Sequence, residues 1–359
     1  MVESSKIDSL LSEKSKIINE TIVTYLKRQS NKEYMTKILG KTNYEYDEKA
    51  FEKGVLDPLW YLLDLGGKRW RPILTLLFIE ALGKKPEDYV EFATITEIIH
   101  NATLIHDDIE DNSLTRRGSP AVHVKYGLDI ATNLGDYMMF FPLHMLFSSK
   151  KLSESVKAKL TTSYLSNMVR VTIGQATDIS WHAGLIKTEE ITENKYLEMS
   201  NNKTGVLSRF ACELAGILCE VDDKTIKTLG NFGAALGIAF QIQDDLLNID
   251  DSKVSESKGG VGDDISEGKI TLMVIQTLNK ASKDDKEKLL KILSEHTKEK
   301  QKIHEAISII KKYNSFTYCK NLAHKIINDS LNEIEQILKE SKSKQLIREF
   351  AEFMINRNK

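Results

Sequence analysis

Two short clusters of carboxylates are the residues of this chain best placed to do chemistry. The first is His106-Asp107-Asp108-Ile109-Glu110-Asp111. On a helix, Asp107 and Asp111 lie four residues apart and share one face. Like charges at that spacing destabilise a helix unless a cation compensates, and at its C-terminal end they also oppose the dipole. Magnesium suits such a pair, because it takes a few carboxylates and keeps its other positions for water and phosphate oxygens. The bland alternative is a solvated acidic helix end. The second cluster is Asp244-Asp245-Leu246-Leu247-Asn248, preceded by Phe240-Gln241-Ile242-Gln243. Gln241, Asp244 and Asn248 fall on one helical stripe. Their neighbours Phe232, Ala234, Leu236, Ile238, Ala239 and Phe240 are apolar, so these acids interrupt a helix that otherwise reads as core. Acids are rarely buried there without a partner.

Cations accompany the acids. Arg116-Arg117-Gly118 follows the first cluster, and adjacent arginines in a loop can point to opposite sides, each gripping a different phosphate group. Gly66-Gly67-Lys68-Arg69-Trp70-Arg71-Pro72 sets three cations at a glycine-bounded helix junction, a place suited to phosphate. Lys203-Thr204, Lys258 and Lys269 add more, although each alone is an ordinary surface group. No nucleophile is paired with a base, since His106 has no Ser or Cys neighbour. His100 lies on the helical side of Asp107; taken singly, it reads equally as a core histidine. Metal-type carboxylates, phosphate-type cations and no acyl-transfer machinery suit diphosphate chemistry, in which metal ions stabilise the departing group.

The elements that must position these residues read as helices. All five prolines lie at or before Pro142, and the long remainder, rich in Leu, Ile, Ala, Glu and Lys, has none. Proline breaks helix interiors, so its absence over that length predicts helix after helix and an all-α fold. No linker, repeat or low-complexity tract divides the 359 residues, which predicts a single domain over 1–359. Within it, residues 1–40 form an N-terminal helical extension with Ile7, Leu10, Leu11, Ile17, Ile18 and Ile22 at helical intervals, and residues 275–359 form solvated outer helices. Leu65-Gly66-Gly67 ends one helix and Pro72 opens the next. Pro86 starts the helix that carries the first cluster to about Asn112. Ser119-Pro120 reads as a cap and first helical position. Further helices are expected to about 150, then over 153–182, 189–220, 222–250 and beyond 268.

The net charge of −2 gives no bias toward nucleic acid. The longest apolar run, Ile73–Ile79, is too short to span a bilayer, so no membrane-embedded segment is expected. The three cysteines, Cys212, Cys219 and Cys319, make neither a disulfide framework nor a zinc pattern, and buried packing is their expected role. A cytoplasmic protein is the expectation.

Taken in order, these motifs resemble the trans-isoprenyl diphosphate synthase family, and geranylgeranyl diphosphate synthases most. DDIED followed by NSLTRRG, FQIQDDLLN, GGKRWRP upstream, NKTG between and GDDISEGKITL downstream carry the likeness, from Gly66 to Leu272. The resemblance implies a helical bundle around a central cavity, of the isoprenoid synthase type, and a homodimer. It implies that Asp107 and Asp111 bind two magnesium ions with Asp108 in support, and that Asp244 binds a third, all converging on the cavity. Arg116, Lys203, Thr204, Gln241 and Lys269, with Lys258 a weaker match, would hold an allylic diphosphate. Lys68, Arg71, His100 and Arg117 would hold isopentenyl diphosphate. The allylic diphosphate then leaves, and the isopentenyl double bond attacks the carbocation. Asn248 stands where many members have aspartate.

In that family bulky side chains below the first motif stop the growing tail. Here the residues four and five before Asp107 are Thr103 and Ala102, both small, roughly 6–8 Å below the carboxylates. Neither a farnesyl-type stop nor an aromatic five before the motif is present. Tyr137-Met138-Met139-Phe140-Phe141 on the next helix resembles the stop of eukaryotic-type geranylgeranyl synthases, with Met139 or Phe140 as the floor. Geranylgeranyl diphosphate is the expected product. A longer-chain polyprenyl synthase is the first alternative, then a terpene cyclase or a non-catalytic partner subunit. GGKRWRP and RRG argue against a cyclase, which has no second diphosphate to hold, and two intact aspartate motifs argue against an inactive subunit.

Overall fold

Helical periodicity becomes helix nearly everywhere in the computed structural model of the protein, which describes residues 2–249 and 262–356. The chain divides into two compact units, one of Met1–Ser163 with Leu214–Val221 and one of Tyr164–Glu213 with Asp222–Lys359.

In the first unit the central element is the helix Val90–Glu110. Its buried residues (Phe92, Ala93, Ile95, Glu97, Ile98 and Asn101 among them) leave no solvated side until its last turn. The helices Val2–Tyr25, Trp70–Ala81 and Leu128–Ser148 pack around it. Val2–Tyr25 buries Ile7, Leu11, Ile18 and Ile22, while Ile17 stays exposed. The N-terminal helix ends at Tyr25 and a second helix starts at Lys32, so the expected unbroken helix to about 40 is two. The break has a local cause: Asn31 caps the second helix, its side chain accepting from the Tyr34 backbone N–H at 2.8 Å.

Ser119-Pro120 is also not a helix start. Among the described residues the only strands are Thr115–Arg116 and Ser119–Pro120, an antiparallel pair with Arg116 opposite Ser119. The two residues between them, Arg117 and Gly118, have φ of 53° and 76°. Positive φ at both central positions is the requirement of the tight hairpin turn whose twist matches paired strands. The helix begins beyond it, at Val122.

In the second unit the helix Asp223–Asn248 is capped by Asp222 and buries Phe232, Leu236, Ala239, Ile242 and Leu246. It packs against Ser315–Glu335, whose Cys319, Ala323 and Ile327 are buried. That C-terminal helix therefore belongs to the core of its unit and is not a solvated outer helix. Lys283–Ser294 and Lys300–Lys312 do present solvated, lysine-rich faces. All three cysteines are buried and free. No helix among the described residues is long and apolar enough to cross a membrane.

Candidate active site

The last turn of Val90–Glu110 places four carboxylates at a helix C-terminus, where each opposes the dipole by about 0.3–1 kcal/mol. They divide by burial. Asp107 and Asp111 are half-buried and share the side that emerges from the core, whereas Asp108 is buried. Arg116, held by the hairpin, donates through Nε to Asp108 Oδ1 at 2.9 Å, and its Nη2 bonds the same oxygen. Nη2 also lies 3.5 Å from Asp107 Oδ2. Burial raises the Asp108 carboxyl above its usual range, and the Arg116 bonds partly offset this.

Arg117 turns the other way. Its guanidinium donates to the carbonyl oxygen of Gly66, in the glycine pair that precedes Lys68. The tight turn thus sends the two adjacent arginines to different partners. Arg71 is buried with its guanidinium over the Trp70 ring at 4.3 Å, and Lys68 is exposed. His100 stands among these cations. Burial first, then the charges of Arg71, Arg117, Arg116 and Arg69, hold its imidazole well below the ordinary value, hence neutral at pH 7. Two helices and one hairpin therefore gather Arg71, His100, Arg116 and Arg117 into one locus beside the first carboxylates, with Lys68 in the loop that precedes Arg71. Arginines gathered around a neutral imidazole suit an anion.

The second locus is built in the other unit. Lys203 and Thr204 sit on a π-helical turn, Asn201–Gly205, a form often found at functional positions. Lys203 is ion-paired with Asp178 of the helix Glu154–His182. Gly174 on that helix permits the approach, since a Cβ there would come within 2.3 Å of the Lys203 backbone nitrogen. Thr204 donates to Gln241 Oε1 at 2.6 Å, and Gln241 Nε2 donates to Asp245 Oδ1 at 2.8 Å. Tyr196 donates to the other Asp245 oxygen at 2.7 Å. Asp245 is therefore the buried member of its pair and Asp244 the half-exposed one. Burial, then the Asp264 charge, pushes the Asp245 carboxyl up to about 8 against its two donors. Asn248 accepts from the Asp264 backbone N–H at 3.2 Å. Lys269 pairs with Glu267 at 2.5 Å and lies 3.9 Å from Asp264. Lys258 falls outside the described residues.

The sequence pattern does not mark Asp178 or Tyr196, and it gives Asp245 only as a member of its cluster. Of a DD pair, the pattern does not say which faces the core; Asp178 had a signal only in its place one helix away from a lysine.

Ala102 is fully buried, and half-buried Thr103 donates to the His100 carbonyl at 2.8 Å. Phe140 departs from expectation. The buried stripe of Leu128–Ser148 is Ala131, Leu134, Gly135, Met138, Phe141, Pro142 and Met145, and Phe140, two residues from Met138, is turned outward and 70% exposed. Met139 is half-buried.

Among the described residues, no three His, Cys, Asp or Glu side chains gather closely enough to hold a metal ion unaided. A magnesium site does not require three, since one or two carboxylates plus substrate phosphates and water commonly suffice. Asp107, Asp111 and Asp244 are half-exposed oxygen donors, and buried Asp108 Oδ2 has no partner. In each unit separately, these carboxylate oxygens are of the kind a hard cation takes.

The polyprenyl synthetase family pattern matches residues 52–310, which takes in both loci. The chain belongs to that family. The chain is 32% identical over 330 residues to a geranylgeranyl diphosphate synthase of Saccharolobus solfataricus, covering 91% of this chain and 98% of the relative. It is 28% identical, over the whole of both chains, to a geranylfarnesyl diphosphate synthase of Natronomonas pharaonis. The crystal structure of a geranylgeranyl pyrophosphate synthetase from Pyrococcus horikoshii matches with a TM-score of 0.83 at 30% identity, over 98% of this chain and 99% of that one.

Proposed function

We propose that this prenyl synthetase condenses isopentenyl diphosphate with allylic diphosphates, with magnesium, and releases geranylgeranyl diphosphate as its main product. The observation that carries the reading is the last turn of Val90–Glu110, where two half-exposed carboxylates sit above small Ala102 and Thr103, beside a cluster of arginines. Asp107, Asp111 and Asp244 would hold the ions, which when bound stabilise charge on the departing diphosphate. Arg116, Lys203, Thr204, Gln241 and Lys269 would hold the allylic diphosphate, with Lys258 added. Lys68, Arg71, Arg117 and neutral His100 would hold the isopentenyl diphosphate, the arginines as two-pronged donors. The family pattern runs through both units, which supports one functional domain over 1–359.

Small residues at 102 and 103 leave room for a tail beyond the farnesyl length, and relatives named as geranylgeranyl synthases support that product. The geranylfarnesyl relative supports a second reading, a longer tail. The test uses purified protein, labelled isopentenyl diphosphate and each allylic primer. The expected result is a twenty-carbon product, no turnover in excess chelator, and a shorter product from Ala102→Phe. Full turnover in chelator would end the magnesium reading; an unchanged product from Ala102→Phe would remove the chain-length assignment.

We further propose a homodimer through the helix Glu154–His182. Leu165, Val169 and Ile173 recur there at four-residue intervals and are 50%, 59% and 54% exposed. A second copy of this chain is the natural cover for such a stripe, since soluble monomers rarely leave contiguous apolar patches uncovered. Sedimentation is expected to give a dimer for the wild type and a monomer for Val169→Asp; a monomeric wild type would refute this.

A further inference from the structure

The segment Gly66–Pro72 contains a cation whose three guanidinium nitrogens are all engaged inside the protein. Arg69 is 4% exposed and holds a left-handed backbone, φ 49°. Its Nε donates to Asn19 Oδ1 at 3.0 Å, Nη1 to Glu97 Oε1 at 2.7 Å and to Gly66 O at 3.1 Å, and Nη2 to Leu63 O at 2.9 Å. Asn101 Nδ2 donates to the same Glu97 oxygen at 2.8 Å. Every guanidinium nitrogen is thus engaged, so Arg69 has no fork left to offer a phosphate.

Its arrangement also reaches Arg117. The Gly66 carbonyl accepts from Arg69 and from Arg117, so two guanidinium groups meet at one oxygen. Gly67, with φ 137°, leaves room for both: a Cβ there would lie 3.0 Å from Arg69 Nη1 and 3.1 Å from Arg117 Nη2. Two like charges that share one carbonyl oxygen need a carboxylate nearby, and Glu97 supplies it from the central helix. The remaining tie is Asn19, on the N-terminal helix.

We infer that Asn19, Arg69 and Glu97 form a brace that positions Arg117 through the Gly66 carbonyl, so that the N-terminal helix sets the affinity for the isopentenyl substrate. The inference rests on the proposed reading that Arg117 holds that substrate. Asn19 is exposed, so its replacement leaves no cavity. Asn19→Ala is expected to raise KM for isopentenyl diphosphate about threefold to tenfold, the range for one lost hydrogen bond. Both kcat and KM for the allylic diphosphate stay within about twofold, a split that general destabilisation does not produce. Asn19→Asp, which keeps the acceptor, restores the wild-type value. In an Arg117→Ala background Asn19→Ala adds nothing, because a positioning residue has nothing left to position. The inference is overturned by an unchanged isopentenyl KM in Asn19→Ala, by equal rises in both KM values, or by full additivity with Arg117→Ala. An unchanged isopentenyl KM in Arg117→Ala instead removes the substrate assignment itself, and the inference with it. If Arg117→Ala raises that KM and Asn19→Ala does not, only the brace is lost.

Discussion

Replacing Asp107 with alanine is expected to lower turnover by about a thousandfold or more while leaving the protein as stable as before, or slightly more so. The two halves of that result have one cause. Asp107 is a half-exposed negative charge one turn from Asp111 at the wrong end of a helix. Removing it relieves both the like-charge contact and the dipole mismatch, a few tenths of a kcal/mol to about 1 kcal/mol, which offsets the loss of the partly exposed Arg116 contact at 3.5 Å. The chemistry moves the other way, because a lost metal carboxylate forfeits several kcal/mol of transition-state charge stabilisation. The magnesium concentration giving half-maximal rate should rise as well. Steady-state kinetics across a magnesium series, paired with thermal denaturation, reads all three quantities. Retained activity in Asp107→Ala would remove this carboxylate from the mechanism.

The largest loss of stability is expected at Glu97. Its side chain and that of Arg69 are each 3% exposed, 2.7 Å apart. Taking away one partner of a buried pair leaves the other charge uncompensated and costs about 3–5 kcal/mol. Glu97→Ala adds the loss of an acceptor for Asn101. The paired replacement of Arg69 with Met and Glu97 with Leu removes both charges together and is expected to recover most of that loss, since apolar packing often equals a buried pair. Urea denaturation of the two variants tests this. A Glu97→Ala protein within about 1 kcal/mol of wild type would mean that water or another cation already satisfies the pair.

Glu97 also shows what the sequence held and how it was passed over. A lone acid inside Thr94-Ile95-Thr96-Glu97-Ile98-Ile99 interrupts an apolar helix in the same way as the second aspartate cluster, and the same reasoning applied there would have found it. Asp107 and Asp111 were legible because four-residue spacing fixes their shared face whatever surrounds them. The second cluster was legible as a cluster only. Which of Asp244 and Asp245 is buried depends on Tyr196 and Gln241, and Tyr196 comes from another helix. Helix class was legible from proline placement, but the hairpin was hidden, because Arg-Gly satisfies a left-handed turn usually announced by Asn-Gly. The outward turn of Phe140 was hidden because five bulky residues in a row carry no phase; only packing says which side of the helix meets the core. Arg69 reads in sequence as one of three phosphate-type cations at its junction, and its partners at Asn19 and Glu97 are too far along the chain for any local pattern to join them.

The way the backbone is shared between the two units constrains how such a protein can be cut or rearranged. The first unit is not a contiguous stretch: it takes in Leu214–Val221, where the Cys219 thiol lies 4.0 Å from the Ile79 carbonyl oxygen. A fragment stopped after Ser163 would lack that piece, and a fragment begun at Tyr164 would carry it away with an orphaned apolar face. Neither part can be released by a single proteolytic nick or inherited alone by gene fission, so the carboxylates of the first cluster and those of the second travel together through any viable truncation.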